Sequence, residues 1–288
     1  MSAGLEIQLI AVFIAMACAV TGIFLVLRHM AMMADAITHT ILLGIVLAFF
    51  VTHDLSSPWL MVGATAMGVT TVWLCQWFTD THLMGEDAAM GVVFPMLFAM
   101  AIVLITCYAG DVHLDTDAVL LGELAFAPFD RLVVFGADIG ARAIYTSGGI
   151  FLVSVVVVAA LYKELQLSTF DPVLAGLLGF CPVIIHYGLM TLVSLTAVAA
   201  FEAVGSVLVV AFMVGPAATA SLLSYSLRKI LMLAPAIGAV NALLGYQLAC
   251  VWDVSIAGSM AVVTGGSFFV VLALTRKKGG ASLSMSLR

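Results

Sequence analysis

Two acidic side chains lie where acidic side chains are costly. Asp35 falls inside the largely apolar run RHMAMMADAITHTILLGIVLAFF, and His39 follows four positions later. An ionised Asp near the centre of a membrane helix costs roughly 2.5–3.5 kcal/mol, and such a group persists when it faces a bundle interior and has a partner. A spacing of four puts Asp35 and His39 on one helical face, about 6 Å apart along the axis. A carboxylate and an imidazole on adjacent turns can share one divalent ion, and the donor set suits zinc, manganese or ferrous iron. The same spacing suits an Asp–His hydrogen bond that locks two helices together, and spacing alone does not separate these readings. Glu202 is the second such residue. It opens the run FEAVGSVLVVAFMVGPAATA, in which Ala203, Gly205 and Ser206 allow another helix to come close. Its plainer reading is an interfacial carboxylate at a turn between two spans. Pro216, late in that run, frees a backbone carbonyl and is expected to bend its helix.

Weaker signals surround these two. His113, Asp115 and Asp117 form an H-x-D-x-D run, which aligns its side chains only on an extended strand. It reads as an outer metal-handling gate or as a solvated acidic loop. His29, His53, His82 and His186 are isolated and receive no role. The sixteen methionines read mostly as core filler, since thioethers favour softer ions such as copper(I). Cys18, Cys75, Cys107, Cys181 and Cys250 lie in or beside apolar stretches without a CxxC pair, and read as small packing residues.

The elements that must position these residues follow from composition. Of 288 residues, 64% are hydrophobic and 9% charged, and the mean hydropathy is +1.23. A soluble domain carries about 25% charged residues to cover its surface. This chain cannot do so, and its outer solvent must be lipid. Ten Lys and Arg against a net charge of −6 exclude the clustered basic face of a nucleic-acid binder. Spanning helices need about 20 mostly apolar residues. Stretches 7–27, 30–51, 58–79, 88–109, 146–163, 182–201, 203–224, 229–250 and 254–275 qualify. They predict an all-α, polytopic transmembrane bundle of about nine spans (eight to ten) in a single domain, 1–288. The first stretch lacks the charged start and small-residue cleavage site of a leader and is expected to be a span. Segment 110–145 is too charged to span and too apolar for a free linker. It is expected to form interfacial helices on the outer face. No internal repeat stands out, and no GxxxxGK[ST] occurs, so any ATP would be bound by another subunit.

Orientation follows from Lys and Arg in the short loops. With the N-terminus outside, Arg28, Lys163, Arg228, Lys229, Arg276, Lys277, Lys278 and Arg288 are cytoplasmic, and only Arg131 and Arg142 are external. The C-terminus is then cytoplasmic. Glu6, Asp54, Asp111, Asp115, Asp117, Glu123, Asp130, Asp138 and Asp253 fall outside, where an acidic rim concentrates cations. Segment 164–180 is cytoplasmic and is expected to hold a short helix, capped by Asp171 with Pro172 in its first turn.

Three stretches resemble the ABC-3 family, the permeases of bacterial ABC importers for manganese, zinc and iron. In LRHMAMMADAITHTILLG, Asp35, Ala36, His39 and Gly44 match the family pattern, with Leu43 where proline is usual. In LSTFDPVLAGLLGF, Phe170, Asp171, Pro172, Ala175 and Gly179 match, with Val173 in place of the usual glutamate. In FEAVGSVLVVAFMVGPAATA, Glu202, Gly205, Pro216, Ala217 and Ala218 are in register. The segment DVHLDTD…LLGELAFAPFDR resembles the manganese or iron branch more weakly. The resemblance implies Asp35, His39 and Glu202 as metal-path ligands or gate. It also implies that Asp171, Pro172, Leu174, Ala175, Leu177 and Gly179 belong to a cytoplasmic coupling helix docked on an ATPase.

The resulting expectation is a non-catalytic, multi-pass permease of the bacterial inner membrane with no permanently bound cofactor. It would pass a divalent metal (Mn, Zn or Fe) inward. Its partners would be a cytoplasmic ABC ATPase, a second permease copy or a related permease, an extracytoplasmic metal-binding protein and the bilayer, with no nucleic acid. One rival is a proton-coupled secondary transporter, in which Asp35 and His39 relay protons. The other is an ABC permease for an iron chelate or cobalamin, whose wide, dry chamber an Asp–His pair argues against.

Overall fold

The computed structural model describes residues 3–53, 57–82, 84–108, 124–134 and 137–286. With almost no polar surface to offer, the chain satisfies its backbone internally, and helices are the economical way to do so in lipid. The helices are α1 (Ala3–Leu27), α2 (Ala31–Thr52), α3 (Trp59–Asp80), α4 (Glu86–Tyr108), α5 (Arg142–Ala160), α6 (Tyr162–Phe170), α7 (Pro172–Leu177), α8 (Pro182–Val204), α9 (Ser206–Leu223), α10 (Leu227–Trp252) and α11 (Ile256–Ser286). Among the described residues, nine helices are long and apolar enough to cross a membrane. They correspond one for one to the nine predicted stretches.

Helix α1 is the axis of the bundle and packs against α5, α8, α9 and α10. Small residues set how closely these helices approach. A Cβ on Gly22 would collide with the carbonyl oxygen of Met213 on α9, so α1 and α9 touch backbone to backbone. Helices α2 and α3 meet in the same way at Gly44 and Gly63, and Thr71 Oγ1 on α3 donates to Thr40 Oγ1 on α2 at 2.8 Å. Pro216 lies within continuous α9.

Helix ends explain three of the isolated histidines. His29, His53 and His82 all have positive φ, at 62°, 52° and 57°. His53 closes α2 in the left-handed conformation, donating its N–H to Phe49 O at 2.8 Å. Histidine tolerates this region better than most residues, so these positions are turn chemistry. The α8–α9 junction is a single residue, Gly205, at φ 78° and ψ 165°, a region open essentially only to glycine.

Segment 110–145 departs from the expected helices in its described part. A short 3-10 turn, Ala127–Phe129, leads into an antiparallel hairpin of β1 (Arg131–Val134) and β2 (Ala137–Ala141), with Arg131 opposite Ala141 and Val134 opposite Ala137. The run RLVV followed by ADIGA carries β-branched residues and a glycine, Gly140, at φ 120°, which favours strands over a helix. The hairpin is tied to α1 by Arg131, whose Nη2 lies 3.8 Å from Oε2 of Glu6. Glu6 is 1% exposed; it is buried under the hairpin and is not part of an open acidic rim. Of the cysteines, Cys18 and Cys75 are buried as expected, whereas Cys107, Cys181 and Cys250 are at the surface.

Candidate functional site

The Asp35–His39 pair lies on a partly exposed face of α2, flanked on one side by α4. Both residues lie on the first half of α2, one turn apart, with His39 Nε2 at 3.4 Å from Asp35 Oδ1. Two donors about 2.0–2.1 Å from a tetrahedral ion stand about 3.3 Å from each other. The observed separation therefore suits two neighbouring corners of one coordination shell. The Asp35 side chain is 38% exposed and that of His39 22%, so the chain alone does not bury this charge. The His39 ring is held between Phe94 and Phe98 of α4, with centroids at 5.3 and 5.6 Å. These rings restrict the imidazole's rotation and leave its polar edge toward Asp35. Thr38 Oγ1 and Thr40 Oγ1 donate back to carbonyls of α2, and Thr40 Oγ1 also accepts from Thr71, so both hydroxyl protons are already engaged.

Phe94 and Phe98 were not singled out from the sequence. Their i, i+4 spacing in an apolar span looks the same as lipid-facing filler, and only the packing of α4 on α2 distinguishes them.

Glu202 is exposed in the last turn of α8, next to the Gly205 break. Among the described residues, no three His, Cys, Asp or Glu side chains converge where a metal could be held. Asp35 and His39 are thus brought together, while Glu202 stands apart from them within one chain. His113, Asp115 and Asp117 lie outside the described residues.

The coupling residues fall at the opposite end of the bundle from the hairpin. Asp171 caps α7, its Oδ1 accepting from Leu174 N at 2.9 Å, and Pro172 takes the first helical position. The predicted short helix is in fact two, α6 and α7, because Asp171 is extended (φ −147°, ψ 83°) and breaks the chain between them. The residue before a proline is pushed out of the helical region. Ala175 is fully buried and anchors α7. Val173, Leu174, Leu177 and Leu178 are 73%, 42%, 80% and 60% exposed. Gly179 turns the chain back at φ 86°.

Residues 5–275 match the family described as the ABC 3 transport family. The manganese transport system membrane protein MntD of Bacillus subtilis is 44% identical over 254 residues, covering 88% of this chain and 86% of that protein. The zinc transport system membrane protein TroD of Treponema pallidum is 45% identical over 275 residues, covering 96% of this chain and 75% of its own length. Among solved structures, PsaBC from Streptococcus pneumoniae in complex with Fab superposes with a TM-score of 0.76 at 26% identity, covering 92% of this chain and 89% of that one.

Proposed function

The chain belongs to the ABC 3 transport family, and from that membership we propose that it carries a divalent transition metal (manganese, zinc or iron) across the membrane by way of Asp35 and His39. It is a multi-pass permease subunit of an ABC metal transporter in the bacterial inner membrane. The observation that carries the ion path is the Asp35–His39 pair. A carboxylate and an imidazole 3.4 Å apart in an apolar helix form half of a four-donor site, and their residual exposure calls for a second surface. A second permease, identical or related, supplies that surface in this reading. It covers Asp35 and completes the donor set.

The permease subunit is not itself catalytic, and in this reading the ATPase is a separate cytoplasmic subunit that receives the apolar ridge of α7. The N-terminus is external in this reading. The Lys/Arg asymmetry supports that orientation, as does the gathering of basic groups beside α6. The Arg28 guanidinium bonds into α6, and that of Arg228 lies 5.9 Å over the Tyr162 ring. The opposite face then receives metal from an extracytoplasmic metal-binding protein.

Proteoliposomes holding the permease with its ATPase, and loaded with ATP on the ATPase side, test the reading. Radiolabelled manganese or zinc should accumulate only with hydrolysable ATP, and a proton gradient should not substitute. Uptake driven by the gradient alone would favour the secondary-transporter alternative.

Glu202 acts in this reading as a gate carboxylate, because it stands at the one-residue break between α8 and α9. Glu202→Gln should slow maximal uptake several-fold with ATPase association unchanged. Normal uptake across metal concentrations would leave Glu202 as an interfacial residue.

A further inference from the structure

Arg28 occupies the turn between α1 and α2, and its guanidinium reaches the two elements that frame the coupling segment. Nη2 donates to Ser168 Oγ at 2.9 Å and Nε to Thr169 Oγ1 at 3.1 Å, both near the end of α6. Nη1 lies 3.2 Å from Nδ1 of His186 on α8. A guanidinium only donates, so Nδ1 must be the acceptor and the imidazole carries its proton on Nε2. That Nε2 is buried and without a hydrogen-bond partner. Among the described residues no carboxylate pairs with Arg28, and burial lowers its pKa from the ordinary value. The cation is held by three neutral acceptors alone.

We propose that Arg28 is a positioning residue that transmits movement of the coupling segment α6–α7 to the helix bearing Asp35 and His39. A planar guanidinium fixes its acceptors in one rigid fork, so a displaced α6 must either drag Arg28 or break the contacts. Arg28 in turn leads directly into α2. His29 has a positive φ, and Met30 N donates to Leu25 O at 2.8 Å, so the corner is closed and stiff. The first turn of α2 has no side-chain cap, and Met30, Met33 and Ala34 pack it into the core, so movement of the corner carries the helix with it. The orphan N–H of His186 destabilises the arrangement shown. A state in which α8 shifts and that donor finds a partner is then accessible. The path from the docked ATPase to the metal pair runs α7, α6, Arg28, α2.

The proposal rests on α7 being the ATPase-docking helix, and the two can fail separately. Association of the ATPase with a variant altered only on the α7 ridge reports on docking. The ratio of metal ions delivered to ATP hydrolysed, in proteoliposomes of the whole transporter, reports on Arg28. Arg28→Gln and His186→Lys should lower that ratio about tenfold, with ATPase association and hydrolysis retained. His186→Asn, whose carboxamide oxygen takes the acceptor position of Nδ1, should keep the wild-type ratio. An unchanged ratio in Arg28→Gln overturns the proposal. So does a fall of uptake and hydrolysis in step, or loss of the ATPase, since either marks a merely structural contact.

Discussion

Asp35→Ala and His39→Ala each reduce metal uptake by at least about a hundredfold, the scale at which metal sites respond to the loss of even an outer-shell partner. The two residues share one face of α2 and present donors 3.4 Å apart. Removing either leaves this chain a single donor, and the four-donor site of the proposed reading is then incomplete. Protein levels are expected to move the other way. Deleting a charge from an apolar span removes an insertion cost of roughly 2.5–3.5 kcal/mol, so Asp35→Ala should accumulate in the membrane at least as well as the parent. A pair that served only to lock helices would behave in reverse, with folding impaired and transport per folded molecule preserved. Uptake normalised to the amount of assembled transporter separates the two. His39→Ala also vacates the space between Phe94 and Phe98, so some loss of stability there is expected without bearing on the path. Near wild-type uptake in both variants would reduce the pair to a hydrogen-bonded lock.

How much of this was legible in the sequence depends on what each residue answers to. The nine spans were readable because lipid imposes one requirement, about 20 apolar residues with the backbone satisfied internally. The Asp171 cap and Pro172 were readable because capping is local: donor and acceptor are three residues apart. The break of segment 164–180 into two helices follows from the same proline, yet the reach of α6 back to Tyr162 depends on packing against the bundle. The hairpin is not legible in segment 110–145, whose balance of charge and apolarity excludes a span but says nothing of period. Its short strands, RLVV and ADIGA, are too brief to show alternation clearly. Arg28 read only as a topology marker. Its partners lie 140 to 158 positions away, and nothing local in LVLRHMA announces them. The Asp35–His39 pair lies between these extremes. Its spacing was legible, whereas the aromatic clamp on α4 and the open side of the pair are properties of the assembled helices.

Leu174→Glu together with Leu177→Glu releases the ATPase from the permease, with at least about a hundredfold loss of affinity. Burying a leucine side chain is worth about 1.5–3 kcal/mol, and every 1.4 kcal/mol is tenfold in binding. Both leucines lie on the exposed ridge of α7, at 42% and 80% exposure, so the fold of one chain owes them little. Ala175, fully buried, is the residue that holds α7 to the body, and it stays. The cap also survives, because Asp171 accepts from the backbone of Leu174 and not from its side chain. A glutamate at 174 sits in the first turn, where the helix favours it, while one at 177 sits on the last helical residue and costs only about 0.3–1 kcal/mol at an exposed end. The double variant should therefore insert and fold, and lose its partner. An exposed apolar ridge of four side chains is unfavourable in water unless something covers it. Co-purification of the ATPase, measured together with metal uptake, decides the matter. Association and uptake both at the parental level would remove α7 as the docking helix and reopen the case for a transporter that runs without ATP.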